Sequence, residues 1–352
     1  MWLKSPEQRR VPPVVYVMWM KATLVVMVVV EAAAAVSIVS LAQDEWDLFK
    51  LEQKKQYNNT VEDNFRMKIF LDNKHRVMEH NKLYAQNLTS FKLEVNQFGD
   101  MLREEIIASV TGFDKVNISA VINNVGSTYI PPDGDVQLPS TVDWRLKGAV
   151  TGVKSQGQCA SGWAFATTGS LEGQHFRRWG RLLSLSEQNL LDCCHLCYGC
   201  QGGRMDYAFT TIQQNGGIDS ESYYPYEARN NVCRYNPSMA VSKVVGYMSI
   251  PPGDEQALKA AVANVGPVAV AIDASLPSFH YYTHGVYYDV QCSSVSLTHG
   301  ALVVGYGSQW GTDYWLVKNS WGATWGDGGY IKIARNHNNQ CGIASAALYP
   351  LV

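Results

Sequence analysis

The sequence predicts an α+β protein, because helical patterning dominates as far as about residue 215 and strand-like apolar runs dominate from Lys243 onward. In the first region Glu62, Arg66, Phe70, Asn73, Val77 and Asn81 are spaced by four, four, three, four and four residues, which places all six on one face of a long amphipathic helix. A second helix opens near Ser161 and carries Trp163, Ala164, Phe165 and Leu171. It stops at Gly180 after Arg177-Arg178-Trp179, since cations in the last turn and glycine just past it are stop signals. Further helices are expected from about Ser186 to Cys193 and around Met205 to Asn215. Beyond Lys243 the strand-like runs are Val268 to Ile272, Ala301 to Tyr306 and Tyr314 to Lys318, so that half is read as mostly β. The pattern by itself supports α+β and no narrower architecture.

With 352 residues, 46% hydrophobic and 17% charged, the chain can bury one large or two medium cores and carries no mark of disorder. A formal net charge of −2 and the lack of a long basic run speak against nucleic acid or an anionic membrane surface as partner, and leave small or peptide ligands open. Residues 1–42 read as a leader and signal peptide. Lys21 precedes the apolar run Ala22 to Val30, Ser40-Leu41-Ala42 offers small residues for cleavage before Gln43, and translation is expected to begin at Met18 or Met20. A signal anchor is the alternative, since residues 22–42 are long enough to span a bilayer, but Glu31 in their middle opposes it. Entry into the secretory pathway would put the eight cysteines in an oxidising compartment, where most should be paired.

The run from Cys193 to Cys200 contains metal-ligand residue types at Cys-x-x-Cys spacing. In an exported protein a local Cys194–Cys197 bridge, or two buried thiols, is the expected state there, and neither a metal nor another cofactor is called for. Glycosylation sequons stand at Asn58, Asn87 and Asn117. Between about Val121 and Gln137 the chain becomes rich in Asn, Pro and Gly, with Pro131-Pro132-Asp133-Gly134 as a turn signal. This linker separates a segment of residues 43–137 from a domain of residues 138–352, and it is the expected processing region.

The run Ser155-Gln156-Gly157-Gln158-Cys159-Ala160-Ser161-Gly162-Trp163-Ala164-Phe165 passes from a glycine-containing loop into an apolar helix. Downstream stand His299 in Thr298-His299-Gly300 and Asn319 in Asn319-Ser320-Trp321-Gly322. Together these resemble the papain and cathepsin family of cysteine peptidases. The helical face Glu62 to Asn81 resembles the inhibitory prodomain of cathepsin L-like members, with Val77 for the usual Ile, and Asn96-Gln97-Phe98-Gly99-Asp100-Met101 resembles their second prodomain motif. Leu138-Pro139-Ser140-Thr141-Val142-Asp143-Trp144-Arg145 looks like the start of a mature cathepsin. The resemblance covers residues 44–352 and departs at one position. The family's nucleophilic Cys directly precedes the Trp, and here that residue is Gly162.

The resemblance implies a helical lobe packed on a β-barrel-like lobe with a cleft between them, preceded by an inhibitory prodomain, in a monomer. It implies disulfides Cys159–Cys200, Cys193–Cys233 and Cys292–Cys341. Carried over position by position, His299 is the base and proton donor, Asn319 orients it, Trp321 covers that contact, and Gln156 points its amide at the oxyanion together with the backbone N–H of Gly162. Gly202 and Gly203 would pair with an extended peptide. Met205, Ala271, Leu297 and Ala346 would line the subsite for an apolar side chain. A helix N-terminus, an imidazolium and partial exposure in a cleft would lower a thiol pKa at position 162, but glycine cannot form an acyl-enzyme. Ser161 is expected to point elsewhere, and a Cys at 162 is expected to fit without cost. Three functions follow. The first is an inactive, peptide- or protein-binding pseudopeptidase, secreted or lysosomal and similar to testins and silicateins. The second is an inhibitor of active cathepsins through the prodomain. The third is an active endopeptidase, if the glycine is an error or allele one base from Cys.

Overall fold

A computed structural model describes residues 40–112, 127–132 and 137–352. The Asn117 sequon and the signal-peptide reading lie outside those residues, apart from positions 40–42, which are helical. The chain divides after Leu71 into two compact units.

In the first unit residues 40–52 are helical and helix α1 (Thr60–Ala85) begins. Trp46 is fully buried and stacks on Phe49 and Tyr57 at 5.6 and 5.7 Å. Phe70, from the predicted face of α1, packs on Phe49 at 4.7 Å, so its register is set by this aromatic cluster. Asp63 accepts from Lys50 at 2.9 Å and from the Trp46 indole at 3.3 Å.

In the second unit the rest of that face has a separate task. Val77 is buried in the core. Asn73 donates to the carbonyls of Gly99 (3.0 Å) and Met101 (3.2 Å). Asn81 donates to Leu93 O at 2.9 Å and accepts from Leu93 N at 3.0 Å. Amides on a helix surface thus satisfy a neighbouring stretch of backbone, which is why polar residues recur at core spacing. Asn81→Ala would strand both Leu93 groups and is expected to cost about 1–3 kcal/mol, read as a lower urea midpoint with an unchanged m-value.

Among the described residues nine strands form the sheet framework. They are β1 (Phe91–Leu93), β2 (Val142–Asp143), β3 (Gly246–Ser249), β4 (Val268–Ile272), β5 (Tyr282–Tyr287), β6 (His299–Gln309), β7 (Thr312–Lys318), β8 (Tyr330–Ala334) and β9 (Ala347–Leu351). The order is β1-β5-β8-β7-β6-β4-β9-β3, with β2 paired separately to β6. β4 reads Val-Ala-Val-Ala-Ile and is buried throughout, as a strand covered on both faces must be. Helix α2 (Arg103–Val110) buries Ile106 and Val110 in the core shared with the strands, and α3 (Gly162–Trp179) ends where Gly180 adopts φ 67° as its left-handed cap. Gly169 lets α3 approach β6 closely, since a Cβ there would lie 2.7 Å from Leu302 Cδ2.

The helices α4 (Glu187–Cys193) and α5 (Met205–Asn215) fall where the sequence places them. With α3 they enclose Trp163, Leu171, Leu190, Met205 and Phe209, while a second core around Val303, Trp315, Trp325 and Ile331 fills the strand-rich side. The C-terminal half is mostly strand, as the sequence predicts, and also holds helical segments. Helix α6 (Glu255–Asn264) lies within it, capped by Asp254, whose carboxylate accepts from the backbone of Gln256 and Ala257 at 2.9 and 2.8 Å. The bridges Cys159–Cys200, Cys193–Cys233 and Cys292–Cys341 are formed, and Cys194–Cys197 is also bridged, so all eight cysteines are paired. The local bridge consumes the thiols that a zinc reading of that run would need.

Candidate active site

The site assembles where the N-terminus of α3 meets the start of β6 and the loop after β7. Gly162 is the first residue of α3 and is buried. His299 opens β6 and is fully buried, with Nε2 2.8 Å from Asn319 Oδ1. The Trp321 ring lies 5.2 Å from the imidazole at an interplanar angle of 41°, shielding that hydrogen bond from water. Asn319 Oδ1 also accepts from Ser320 N at 2.8 Å, which fixes the amide orientation.

No side chain separates α3 from the imidazole. A Cβ at position 162 would lie 2.3 Å from His299 Cε1, 2.6 Å from Nδ1 and 2.8 Å from Gly300 O. The ring therefore occupies space that any residue larger than glycine would claim. This corrects the expectation that Cys fits here without cost, because the imidazole must withdraw first. The neighbours supply no substitute nucleophile. Ser161 Oγ is hydrogen-bonded to the Tyr226 hydroxyl at 2.6 Å and to Cys159 O at 3.3 Å, and Cys159 is bridged.

Gln156 is buried, and its Nε2 donates to Val110 O at 3.0 Å and to Cys159 O at 2.7 Å. Ser320 Oγ donates to its Oε1 at 2.7 Å, and Tyr226 OH donates to its backbone carbonyl at 2.9 Å. A carbonyl of the N-terminal segment thus sits on the amide that would hold an oxyanion. Two residues later Gly112 O accepts from Gly203 N at 2.9 Å, so the loop holding Gly202 and Gly203 is already engaged with main chain. Met205, Ala271, Leu297 and Ala346 all belong to the buried cluster of the helical side.

Partial exposure in a cleft, expected from the sequence, does not hold while this segment is in place. Burial pushes the His299 pKa down to about 4, with the Asn319 hydrogen bond only partly opposing it. The ring is neutral at pH 7. Nδ1 has no hydrogen-bond partner, although the Val110 carbonyl lies near enough to favour the protonated ring slightly.

Farther up the segment, Gln97 Nε2 donates to Trp321 O at 2.9 Å and Asn96 Nδ2 to His280 O at 2.8 Å. Phe98 stands edge-on to Trp321 at 5.3 Å. The roles of Val110, Gly112, Ser320 and Tyr226 are not legible in the sequence. Val110 ends a short helix of ordinary composition, and only the tertiary path brings it to Gln156.

The sequence profile described as Papain family cysteine protease matches residues 138–351. The chain belongs to the papain family of cysteine peptidases. A second profile, Cathepsin propeptide inhibitor domain, matches residues 46–106. A cathepsin L-like peptidase of Aedes aegypti is 51% identical over 340 residues, covering 95% of this chain and 100% of the relative. Cathepsin L of Sarcophaga peregrina shows the same identity and coverage. Digestive procathepsin L2 from Tenebrio molitor aligns with TM-score 0.84 at 43% identity over 88% of this chain and 100% of its own, and procathepsin L 3 from the same larval midgut with TM-score 0.80 at 46% over 89% and 99%. The fold is therefore papain-like α+β, with a cathepsin-type prodomain ahead of a cathepsin L-like peptidase domain.

Proposed function

We propose that this papain-family chain is an exported pseudopeptidase, which keeps the peptide-binding cleft of a cathepsin L-like enzyme without its covalent chemistry. The observation that carries this reading is the contact at Gly162. The imidazole stands within 2.6 Å of where a Cβ would be, so both the thiol and the room for it are missing. Acyl transfer needs a nucleophile beside its base, and Ser161 and Cys159 are committed elsewhere.

Peptide or protein binding survives this loss because it rests on other atoms. The Gly203 N–H already holds an extended carbonyl, and main-chain pairing of that kind tolerates many sequences. The ligand class is an extended segment with an apolar side chain placed near Met205, Ala271, Leu297 and Ala346. The paired cysteines and the sequons fit passage through the secretory pathway.

The protein trimmed of its prodomain by an added peptidase is expected to bind, and not to cleave, peptides with Leu or Phe before the scissile bond at acid pH. It is also expected to remain unlabelled by thiol-directed peptidyl epoxides. Turnover inhibited by such an epoxide, with stoichiometric labelling in the cleft, would sink this reading.

A further inference from the structure

The turn between β6 and β7 is built against the preference of its own residues. Gln309 pairs with Thr312, so Trp310 and Gly311 form a two-residue hairpin loop, with φ of 50° and 82°. Such a loop favours Asn-Gly, and a bulky aromatic at positive φ is an outlier. Trp310 gains nothing from the core in return, since it is 83% exposed. An outlier without a structural use directs attention to what the indole faces.

It faces a sequon. Trp310 lines an open pocket of about 870 Å³ together with Tyr84, Asn87, Leu88, Val286 and Tyr288. Asn87 follows the end of α1 at φ 57°, where its N–H donates to Tyr84 O at 3.0 Å, a left-handed position that Asn tolerates. Its side chain is exposed in Asn87-Leu88-Thr89. The loop is pinned to β5, because Ser90 Oγ donates to Val286 O at 2.6 Å and Val286 N to Ser90 O at 3.0 Å. Asn87 therefore stands on the rim of an aromatic-lined pocket at a fixed place.

We infer that the pocket is the seat of this protein's own Asn87 glycan, whose first N-acetylglucosamine packs its apolar ring face and acetyl methyl on Trp310 and thereby fastens the prodomain loop to the peptidase domain. The inference rests on the export reading above. In the attachment step a lipid-pyrophosphate-linked oligosaccharide is the donor. The Asn87 Nδ2–C1 bond forms, the C1–oxygen bond to the pyrophosphate breaks, and Nδ2 gives up one proton as the lipid pyrophosphate leaves. A sugar presents C–H groups on one face and hydroxyls on its edge, so an exposed indole can cover the former while water keeps the latter. Apolar surface that is otherwise exposed is covered without a second protein.

The test uses the full chain secreted from eukaryotic cells, with the glycans trimmed enzymatically to a single N-acetylglucosamine and occupancy read by mass spectrometry. Three forms are compared: the unaltered chain, Thr89→Val, which blocks the sequon while leaving Asn87 in place, and Trp310→Asp, which supplies an Asp-Gly loop that the turn favours without creating a new sequon before Thr312. The acetyl methyl resonance at Asn87 is expected to be displaced upfield by the indole ring current and to return to its free position in Trp310→Asp. Amide exchange of residues 87–90 is expected to be slowed by between about 2-fold and 10-fold relative to Thr89→Val, the range of an aromatic contact, and the slowing should vanish in Trp310→Asp. An acetyl resonance at its free position in the unaltered chain, or equal slowing with and without Trp310, would overturn the inference. A secreted chain with no glycan at Asn87 would overturn it alone, whereas a chain retained in the cytosol and absent from the medium would overturn the export reading and this inference with it.

Discussion

Gly162→Cys is expected to turn the trimmed protein into a thiol-dependent endopeptidase, with turnover rising from background toward the roughly million-fold that a nucleophile contributes in a well-studied serine peptidase. The surrounding parts are in place. The new thiol would sit at the first residue of α3, where the helix dipole favours an anion, and His299 is held by Asn319 at 2.8 Å. Two of the three close contacts that a Cβ would make are with atoms of the His299 ring, which can rotate, and the third is with Gly300 O at 2.8 Å, which is backbone. A stability cost of about 1–3 kcal/mol is therefore expected, as for other small-to-large changes in packed sites. Once the ring withdraws, Nδ1 gains the partner it now lacks, and the imidazolium becomes the stable form beside a thiolate. The untrimmed variant should stay silent, because Val110 O and Gly112 O occupy the Gln156 amide and the Gly203 N–H. Hydrolysis of apolar-residue substrates and epoxide labelling are the readouts. A folded, trimmed Gly162→Cys protein that shows neither would mean that the site has decayed beyond one residue, which would favour a dedicated binding protein.

The contrast between that expectation and the sequence reading shows what linear information carries. Gln156, His299 and Asn319 were legible because each lies in a run whose neighbours also match, and α1 because six residues share one helical period. The place of His299 relative to α3 was not legible. Removing a side chain leaves a gap that packing tends to fill, and nothing in Thr298-His299-Gly300 encodes how far the ring moves. Nor could the sequence reveal that Asn73 and Asn81 hold backbone groups of residues 93–101, since an amide spaced like a core residue reads only as amphipathic. Helix α6 was lost to the apolar text around it, although Asp254 two to three residues before an alanine-rich stretch is a cap signal. Nothing in the sequence marks Trp310, because positive φ is a property of the folded hairpin.

Acidification is expected to release the prodomain segment from the site, and the sign follows from His299. Its folded pKa of about 4 lies below the ordinary value near 6.5, so the closed state binds fewer protons than the open one. Closure is fully stabilised above pH 6.5 and loses stability as pH falls toward 4. At pH 4.5, two units below the open-state value, the loss is about 2 to 3 kcal/mol, or a rise in the open population on the order of 100-fold. His280, pushed down to about 3 by burial between Phe98 and Trp321, acts in the same direction wherever opening hydrates it. Global unfolding is a poor readout, because burial raises Glu187 to about 7 and its protonation opposes the histidines over the same window. That carboxylate is bonded to Lys154 and Thr168 in the interior, so local opening at the cleft does not rehydrate it. The Gly203 amide, which donates to Gly112 O, reports the cleft directly. Its exchange, corrected for intrinsic pH dependence, should show an opening free energy that falls by about 2 to 3 kcal/mol from pH 7.5 to 4.5 in the unaltered chain and by much less in His299→Gln. Equal falls in both proteins would assign the acid response to another group.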